Sequence, residues 1–156
     1  MRGVVQRVAR ARVTVEGELV GEIGSGVLIY LGVAPADDAA VATRLAERLV
    51  RLRIFADGAG RMNRSLLETG GEALLVSQFT LFADSRRGHR PAFTSAARPE
   101  HARELCDRFG EELRRLGVIR TSQGRFGAHM VVESVNDGPV TIVVSSAEIP
   151  WDADCG

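Results

Sequence analysis

Val27-Leu28-Ile29-Tyr30-Leu31-Gly32-Val33 carries no charged side chain and is preceded by Gly24-Ser25-Gly26. An apolar run of this length suits a central strand buried on both faces and is too short for a buried helix. Upstream, residues 4–8 and 11–15 are β-branched and roughly alternating, which predicts two short strands. Glu16-Gly17 then makes a turn into a third strand over residues 18–23. Downstream, Asp37 or Asp38 offers an N-cap, and Val41, Leu45, Leu49 and Leu52 recur at helical spacing with Arg44, Glu47, Arg48 and Arg51 between them. That pattern predicts an amphipathic helix with its apolar stripe on the sheet.

Further strands are expected around residues 52–55, before the turn Asp57-Gly58-Ala59-Gly60, and at Ala73-Leu74-Leu75-Val76. Residues 84–99 are loop-like. Pro99 then stands where a second helix would start, and Ala102, Leu105, Phe109, Leu113 and Leu116 line one face before Gly117 stops it. Residues 130–135 and 140–144 read as two strands separated by the turn Asn136-Asp137-Gly138-Pro139. The fold class expected is α+β, with largely antiparallel β-sheets and two main helices on one face.

The chain has 156 residues and a formal net charge of zero, 45% apolar and 26% charged, and this is expected to make one globular domain over residues 1–156. All twenty basic residues are Arg. Residues 1–7 lack the apolar run of a signal peptide, and no window approaches the ~20 apolar residues of a membrane helix. Cys106 and Cys155 form no C-x-x-C pair, which argues against zinc and against a disulfide framework. Cys106 falls on the apolar face of the second helix and reads as a buried structural thiol. A cytoplasmic protein without membrane contact is the expectation.

Nucleophile elbow, Walker A, G-x-G-x-x-G and H-E-x-x-H patterns are all missing. His89, His101 and His129 are scattered, with His101 expected to face solvent, and no carboxylate-histidine cluster has metal-ligand spacing. The remaining polar residues of interest are Ser77, Gln78 and Thr80, which leave the end of a buried strand. Strand-end Ser and Thr commonly bond to local backbone, so chemistry and local structure both account for them. Asn136 to Pro139 is open to the same double reading. The loop Asp84-Ser85-Arg86-Arg87-Gly88-His89-Arg90-Pro91 is either a solvated charged loop or a phosphate-facing patch.

Taken together, Ser77-Gln78-Phe79-Thr80-Leu81 and Asn136-Asp137-Gly138-Pro139-Val140-Thr141 resemble the S-Q-x-T-L and N-x-G-P-x-T signatures of the D-aminoacyl-tRNA deacylase family. The likeness extends to Gln6-Arg7-Val8, Leu31-Gly32-Val33, Leu52-Arg53-Ile54-Phe55, Met62-Asn63-Arg64-Ser65-Leu66, Arg90-Pro91-Ala92-Phe93 and Gly127-Ala128-His129-Met130. His129 departs from the acidic residue more usual at that position. The stretch 147–156 runs past the usual end as an extended tail.

The resemblance implies hydrolysis of the ester joining a D-amino acid, and mischarged glycine, to the 3′-terminal adenosine of tRNA, with L-aminoacyl-tRNA rejected. It implies a catalytic set of Ser77, Gln78, Phe79 and Thr80. Chiral selection and substrate binding fall to Gly138, Pro139, Arg7 and Met130, with Arg7 a candidate for holding the Gly138 and Pro139 carbonyls. Arg86, Arg87 and Arg90 are implied tRNA contacts. No metal or cofactor is implied. In the family a cis Gly-Pro bond enters the partner subunit's pocket, so a homodimer with its site at the interface is expected. Either Thr80 attacks, or the tRNA 2′-hydroxyl does the work in a protein frame; no residue resembling a base for Thr80 is evident, which favours the second. Two other classes remain on residues alone: a small hydrolase acting on a non-RNA ester, and a non-catalytic RNA-binding module.

Overall fold

The computed structural model describes residues 1–86 and 88–149. Its organising element is β1 (Arg2–Val15), which pairs with three strands at once: β2 (Glu18–Ile23), β3 (Gly26–Gly32) and the long β8 (Val131–Ser145), all antiparallel. The two short strands expected over 4–8 and 11–15 are therefore one. Val5 belongs to a core packed against the helices, whereas Val8, Ala11 and Val13 belong to a second core on the opposite face. Side chains alternate along a strand, so moving the buried set between faces requires an irregularity. The register shifts against β8 fall between Gln6 and Arg10, where that change occurs.

The expectation of largely antiparallel pairing holds around β1 and fails beyond it. β3 continues into parallel pairs with β6 (Glu72–Ser77) and then β7 (Thr121–Gln123), giving the order β2-β1-β3-β6-β7. Parallel neighbours need a crossover, and each carries a helix. Between β3 and β6 runs α1 (Ala39–Val50); between β6 and β7 runs α3 (Pro99–Arg115). Right-handed crossovers proceeding in one direction along a sheet place both helices on the same face. The ends of the sheet curl towards each other. Ser122 Oγ donates to the Glu22 carbonyl at 2.8 Å, and Arg125 pairs with Glu18 at 3.2 Å.

α1 is capped by Asp38, whose carboxylate accepts from the Val41 amide at 2.8 Å. Leu45 and Leu49 are buried, as their spacing predicts, with Ala42, Ala46 and Val50 beside them. α3 begins with Pro99 at its first turn and buries Leu105, Cys106, Phe109 and Leu113. It also buries the carboxylate of Glu112, which is held by Arg108 at 2.9 Å and Arg115 at 2.6 Å, the latter reaching Glu47 on α1. A buried charge of this kind is tolerable only when paired. His101 does not face open solvent; its Nε2 lies 2.8 Å from the Asp37 carbonyl, so it ties α3 to the segment after β3.

The strand expected at residues 52–55 is only β4 (Phe55–Ala56), paired with β5 (Met62–Arg64). The one-turn helix α2 (Leu66–Thr69) follows, with a reciprocal cap between Ser65 and Glu68. Of the extended tail, residues 150–156 lie outside the described residues. Its start is docked: Ser146 is buried and its amide donates to the Met1 carbonyl at 2.9 Å. Among the described residues no helix is long and apolar enough to cross a membrane.

Candidate functional site

β3 and β6 run parallel, so their carboxyl ends open on the same side, the usual place for ligands in such sheets. A cavity of about 510 Å³ lies there, walled by Leu31, Val33, Val76, Ser77, Gln78 and Phe79 from the strand ends. The start of α3 contributes Pro99, Ala102 and Cys106, and the segment after β7 contributes Phe126, His129 and Met130. The walls are mainly apolar, as expected of a small-molecule site with a few placed polar groups.

Ser77 ends β6 opposite Leu31, and the Gln78 amide donates to the Leu31 carbonyl at 2.7 Å. The chain then turns through a short 3-10 helix, Phe79–Phe82. Gly32 permits this close approach, since a Cβ there would lie 3.0 Å from the Gln78 carbonyl oxygen and 3.1 Å from the Phe82 ring. A helix start leaves its first amides without carbonyl partners, and neither the Phe79 nor the Thr80 N–H donates to a carbonyl among the described residues. Two adjacent amides, on the turn that leaves the cavity at Phe79, are therefore free to serve a developing negative charge. The Gln78 side-chain amide donates to Thr80 Oγ1. Phe79 is exposed and meets Phe93 edge to face, with ring centroids 4.9 Å apart. Arg2 secures the far end of the turn by donating to the Leu81 carbonyl at 2.8 Å while lying over Phe82.

Cys106 is as buried as expected, and it forms part of the cavity wall. Burial pushes its thiol up to about 12, with Asp107 adding to the effect. A raised thiol pKa keeps the neutral form throughout the ordinary range. Iodoacetamide at pH 8 is therefore expected to spare Cys106 in the folded chain and to modify it in denaturant. Peptide mass mapping reads both states, and rapid native labelling would contradict the burial argument.

The Asn136-to-Thr141 segment is not a hairpin turn. Both halves of β8 pair with β1, and between the pairs Gln6↔Thr141 and Val8↔Asn136 one residue, Arg7, faces four, Asp137 to Val140. The result is a large bulge. Asn136 closes it with its side-chain amide, donating to the Val140 carbonyl at 3.1 Å and the Arg7 carbonyl at 3.4 Å. Gly138 has φ +127°, and the Gly138-Pro139 bond is cis. Arg7 Nε donates to the Asp137 carbonyl and pairs with its carboxylate, both at 3.1 Å, while Nη1 donates to the Ile54 carbonyl at 2.5 Å. Arg7 thus grips the bulge one residue ahead of the Gly138 and Pro139 carbonyls that the resemblance assigned to it.

The residues expected in one site fall into two groups. Ser77, Gln78, Phe79 and Met130 line the cavity, and Thr80 stands on its floor turn, whereas Arg7, Gly138 and Pro139 line none of it. Leu31, beside Ser77, pairs with Gly3, so Arg7 lies four residues further along β1, roughly 13 Å at strand rise. In the 84–99 loop Arg86 is chelated by Asp84 at 2.9 and 2.7 Å, which holds the Asp84 carboxyl far below the usual carboxylate range. Arg90 is exposed, and Arg87 lies outside the described residues. The apolar wall from α3 was not expected in the site. Its helical spacing marked only the sheet-facing stripe, and nothing in the spacing says that the first turn overhangs a strand end.

The chain matches the model of the D-Tyr-tRNA(Tyr) deacylase family over residues 4–145. It is 63% identical over 147 residues to the D-aminoacyl-tRNA deacylase of Roseiflexus sp., covering 94% of each chain. The deacylase of Deinococcus radiodurans is 56% identical over 144 residues, 92% of this chain and 99% of that one. Among solved structures, the c-Myc DNA unwinding element binding protein superposes with a TM-score of 0.88 at 38% identity, covering 93% of this chain and 98% of that chain. A probable eukaryotic D-amino acid tRNA deacylase superposes with a TM-score of 0.82 at 18% identity, over 92% and 97%, and shares the fold. Signatures, fold and relatives agree: the chain belongs to the D-Tyr-tRNA(Tyr) deacylase family.

Proposed function

We propose that this protein hydrolyses the ester between a D-amino acid and the terminal adenosine of tRNA, and that it spares the L-aminoacyl ester, so removing D-amino acids before translation uses them. The observation that carries this reading is the strand-end cavity lined by Phe79, with the unengaged Phe79 and Thr80 amides on the turn that leaves it. An aminoacyl ester is already activated. Placing water and stabilising one oxyanion is enough, and paired amides in a largely apolar cavity do that without an ionisable catalyst. Glycine esters, which have no side chain to reject, belong to the same substrate class. The protein is a cytoplasmic enzyme in this reading, working as one domain.

The working unit in this reading is a homodimer. Gly138 and Pro139 lie away from their own chain's cavity and enter that of a second copy, where a rigid backbone excludes the L-configuration. The exposed Val131, Val135 and Val143 support such an assembly, being large apolar side chains left uncovered on a strand, β8, that otherwise ends the sheet. The deciding experiment incubates the purified protein with D-tyrosyl- and L-tyrosyl-tRNA. Loss of the D-ester alone is expected; equal loss of both, or of neither, would defeat the proposal.

Attack by the Thr80 hydroxyl is the less favoured route. Its oxygen is bonded by the Gln78 amide, which cannot take a proton, and no carboxylate or imidazole bonds to it among the described residues. The 2′-hydroxyl beside the ester supplies the missing polar group. Thr80→Ala is therefore expected to keep kcat within about tenfold of the parent, the scale of one lost neutral hydrogen bond. A single-turnover assay with the variant checks this, and a 2′-deoxy terminal adenosine is expected to be hydrolysed far more slowly. Abolished hydrolysis by Thr80→Ala with intact tRNA binding would instead favour the threonine.

A further inference from the structure

Twenty arginines bear all of this chain's side-chain positive charge at neutral pH, and many of them are committed. Arg12 pairs with Glu133, Arg61 with Asp57, Arg86 with Asp84, and Arg108 and Arg115 with Glu112. Arg120 and Arg125 meet carboxylates of β2. Arg103 is different. It is exposed on α3, one residue after the cavity-lining Ala102, and its guanidinium lies 5.0 Å above the ring of Phe126, itself a cavity-lining residue. It has no carboxylate or carbonyl partner among the described residues.

We propose that Arg103 binds a backbone phosphate of the RNA acceptor end, at the mouth of the cavity whose floor holds the ester. This inference rests on the reaction proposed above and names a contact that the reaction requires. An ester on a terminal ribose is followed along the strand by a phosphodiester one nucleoside away, so a nucleic-acid substrate seated on the Phe79 floor carries anionic oxygens out past the rim. Stacking on Phe126 occupies the face of the guanidinium and leaves its N–H edge free. That edge is suited to two parallel bonds with a phosphate. The ring also fixes the side chain, so less freedom is lost on binding. Arg86 is less suited, because Asp84 already takes its Nε–Nη2 edge and offsets its charge.

The test compares two D-aminoacyl esters, one on full tRNA and one on adenosine alone, which has no phosphate. Arg103→Gln is expected to raise KM for the tRNA ester about tenfold, the effect of one charge-assisted contact, with kcat unchanged. The slope of log KM against log salt concentration is expected to become shallower by about 0.7, the change for one phosphate on a single strand. Hydrolysis of the adenosine ester is expected to be unaffected. Arg103→Lys is expected to retain the salt slope while losing part of the affinity. An unchanged KM and salt slope on tRNA would overturn the proposal, and so would equal losses on both esters. If the parent protein hydrolysed neither ester, the reaction assigned above would fall. The contact would then be judged by binding of uncharged tRNA, where unchanged affinity in Arg103→Gln would overturn it separately.

Discussion

Gly138→Ala is expected to lower kcat/KM for a D-aminoacyl-tRNA by about 100-fold or more while the chain still folds. At φ +127° a side chain is strained wherever it points, a cost of order 1–3 kcal/mol. The added Cβ would also lie 2.8 Å from Val140 Cγ2 and 2.9 Å from Arg7 Nη2. Neither neighbour yields freely. Val140 is held by the carbonyl that Asn136 grips, and Arg7 is anchored at the Ile54 and Asp137 carbonyls. The bulge must shift, and with it the backbone assigned to reading chirality. A displacement of about 1 Å in a positioning group commonly costs a hundredfold in rate.

The same strain lowers Tm by only about 3–10 °C for a chain of this size, because residues 137–139 are exposed and carry little of the core. Parallel measurement of Tm and of kcat/KM on D- and L-tyrosyl-tRNA separates the two effects. A variant with the parent's rate and selectivity would remove this loop from the site.

Gly26→Ala is expected to have the larger effect on stability, of order 4 kcal/mol or more, placing it among the severe steric substitutions. Gly26 opens β3 directly beside Glu72, its parallel partner on β6. A Cβ there would stand 1.9 Å from the Glu72 carbonyl oxygen and 2.6 Å from its amide nitrogen, both main-chain atoms. Relief requires the two strands to separate at the beginning of their ladder. That ladder ends at Ser77, so the cavity floor moves with it. Denaturant titration and a D-ester assay are expected to show joint loss of stability and activity. Gly58→Ala is the control, with nothing within 4 Å of its Cβ and a change within about 0.5 kcal/mol expected. A Gly26 variant as stable as that control would show that β3 and β6 can slide apart at no cost.

The apolar run over residues 27–33 indicated a buried central strand, and it is one. Both helices were equally legible, because helical spacing and a first-turn proline are local signals, although the choice of Asp38 over Asp37 as the cap of α1 and its end at Val50, before Leu52, were not. Parallel pairing was legible in principle. Two continuous apolar runs, at residues 27–33 and 73–76, flank a helical pattern, and that is the arrangement of a strand-helix-strand crossover. The fusion of residues 130–144 into one strand was not. Asn, Asp, Gly and Pro serve a hairpin and a bulge equally well, and only the presence of β1 alongside both halves decides between them.

For the site, Ser77 to Thr80 were locatable as a strand exit. The division of the expected residues into two separated groups follows from strand order, which pair spacing in sequence does not contain. Arg7 could be named, but its partners could not, since Ile54 and Asp137 reach it only through the folded sheet.

β1 also sets a timetable. Its pairs with β8 join Arg2 to Ser145 and Thr14 to Val131, contacts that link the two extremes of the described chain. On a ribosome β1 emerges ahead of β2 and β3 and can pair with them early, but its other edge stays open until β8 has been made. Contacts so distant in sequence close late and slow the folding of the whole. The bulge bearing Gly138 is made by that final pairing. A nascent chain therefore completes the cavity floor, whose strands are already synthesised, before it acquires the loop that would discriminate left from right.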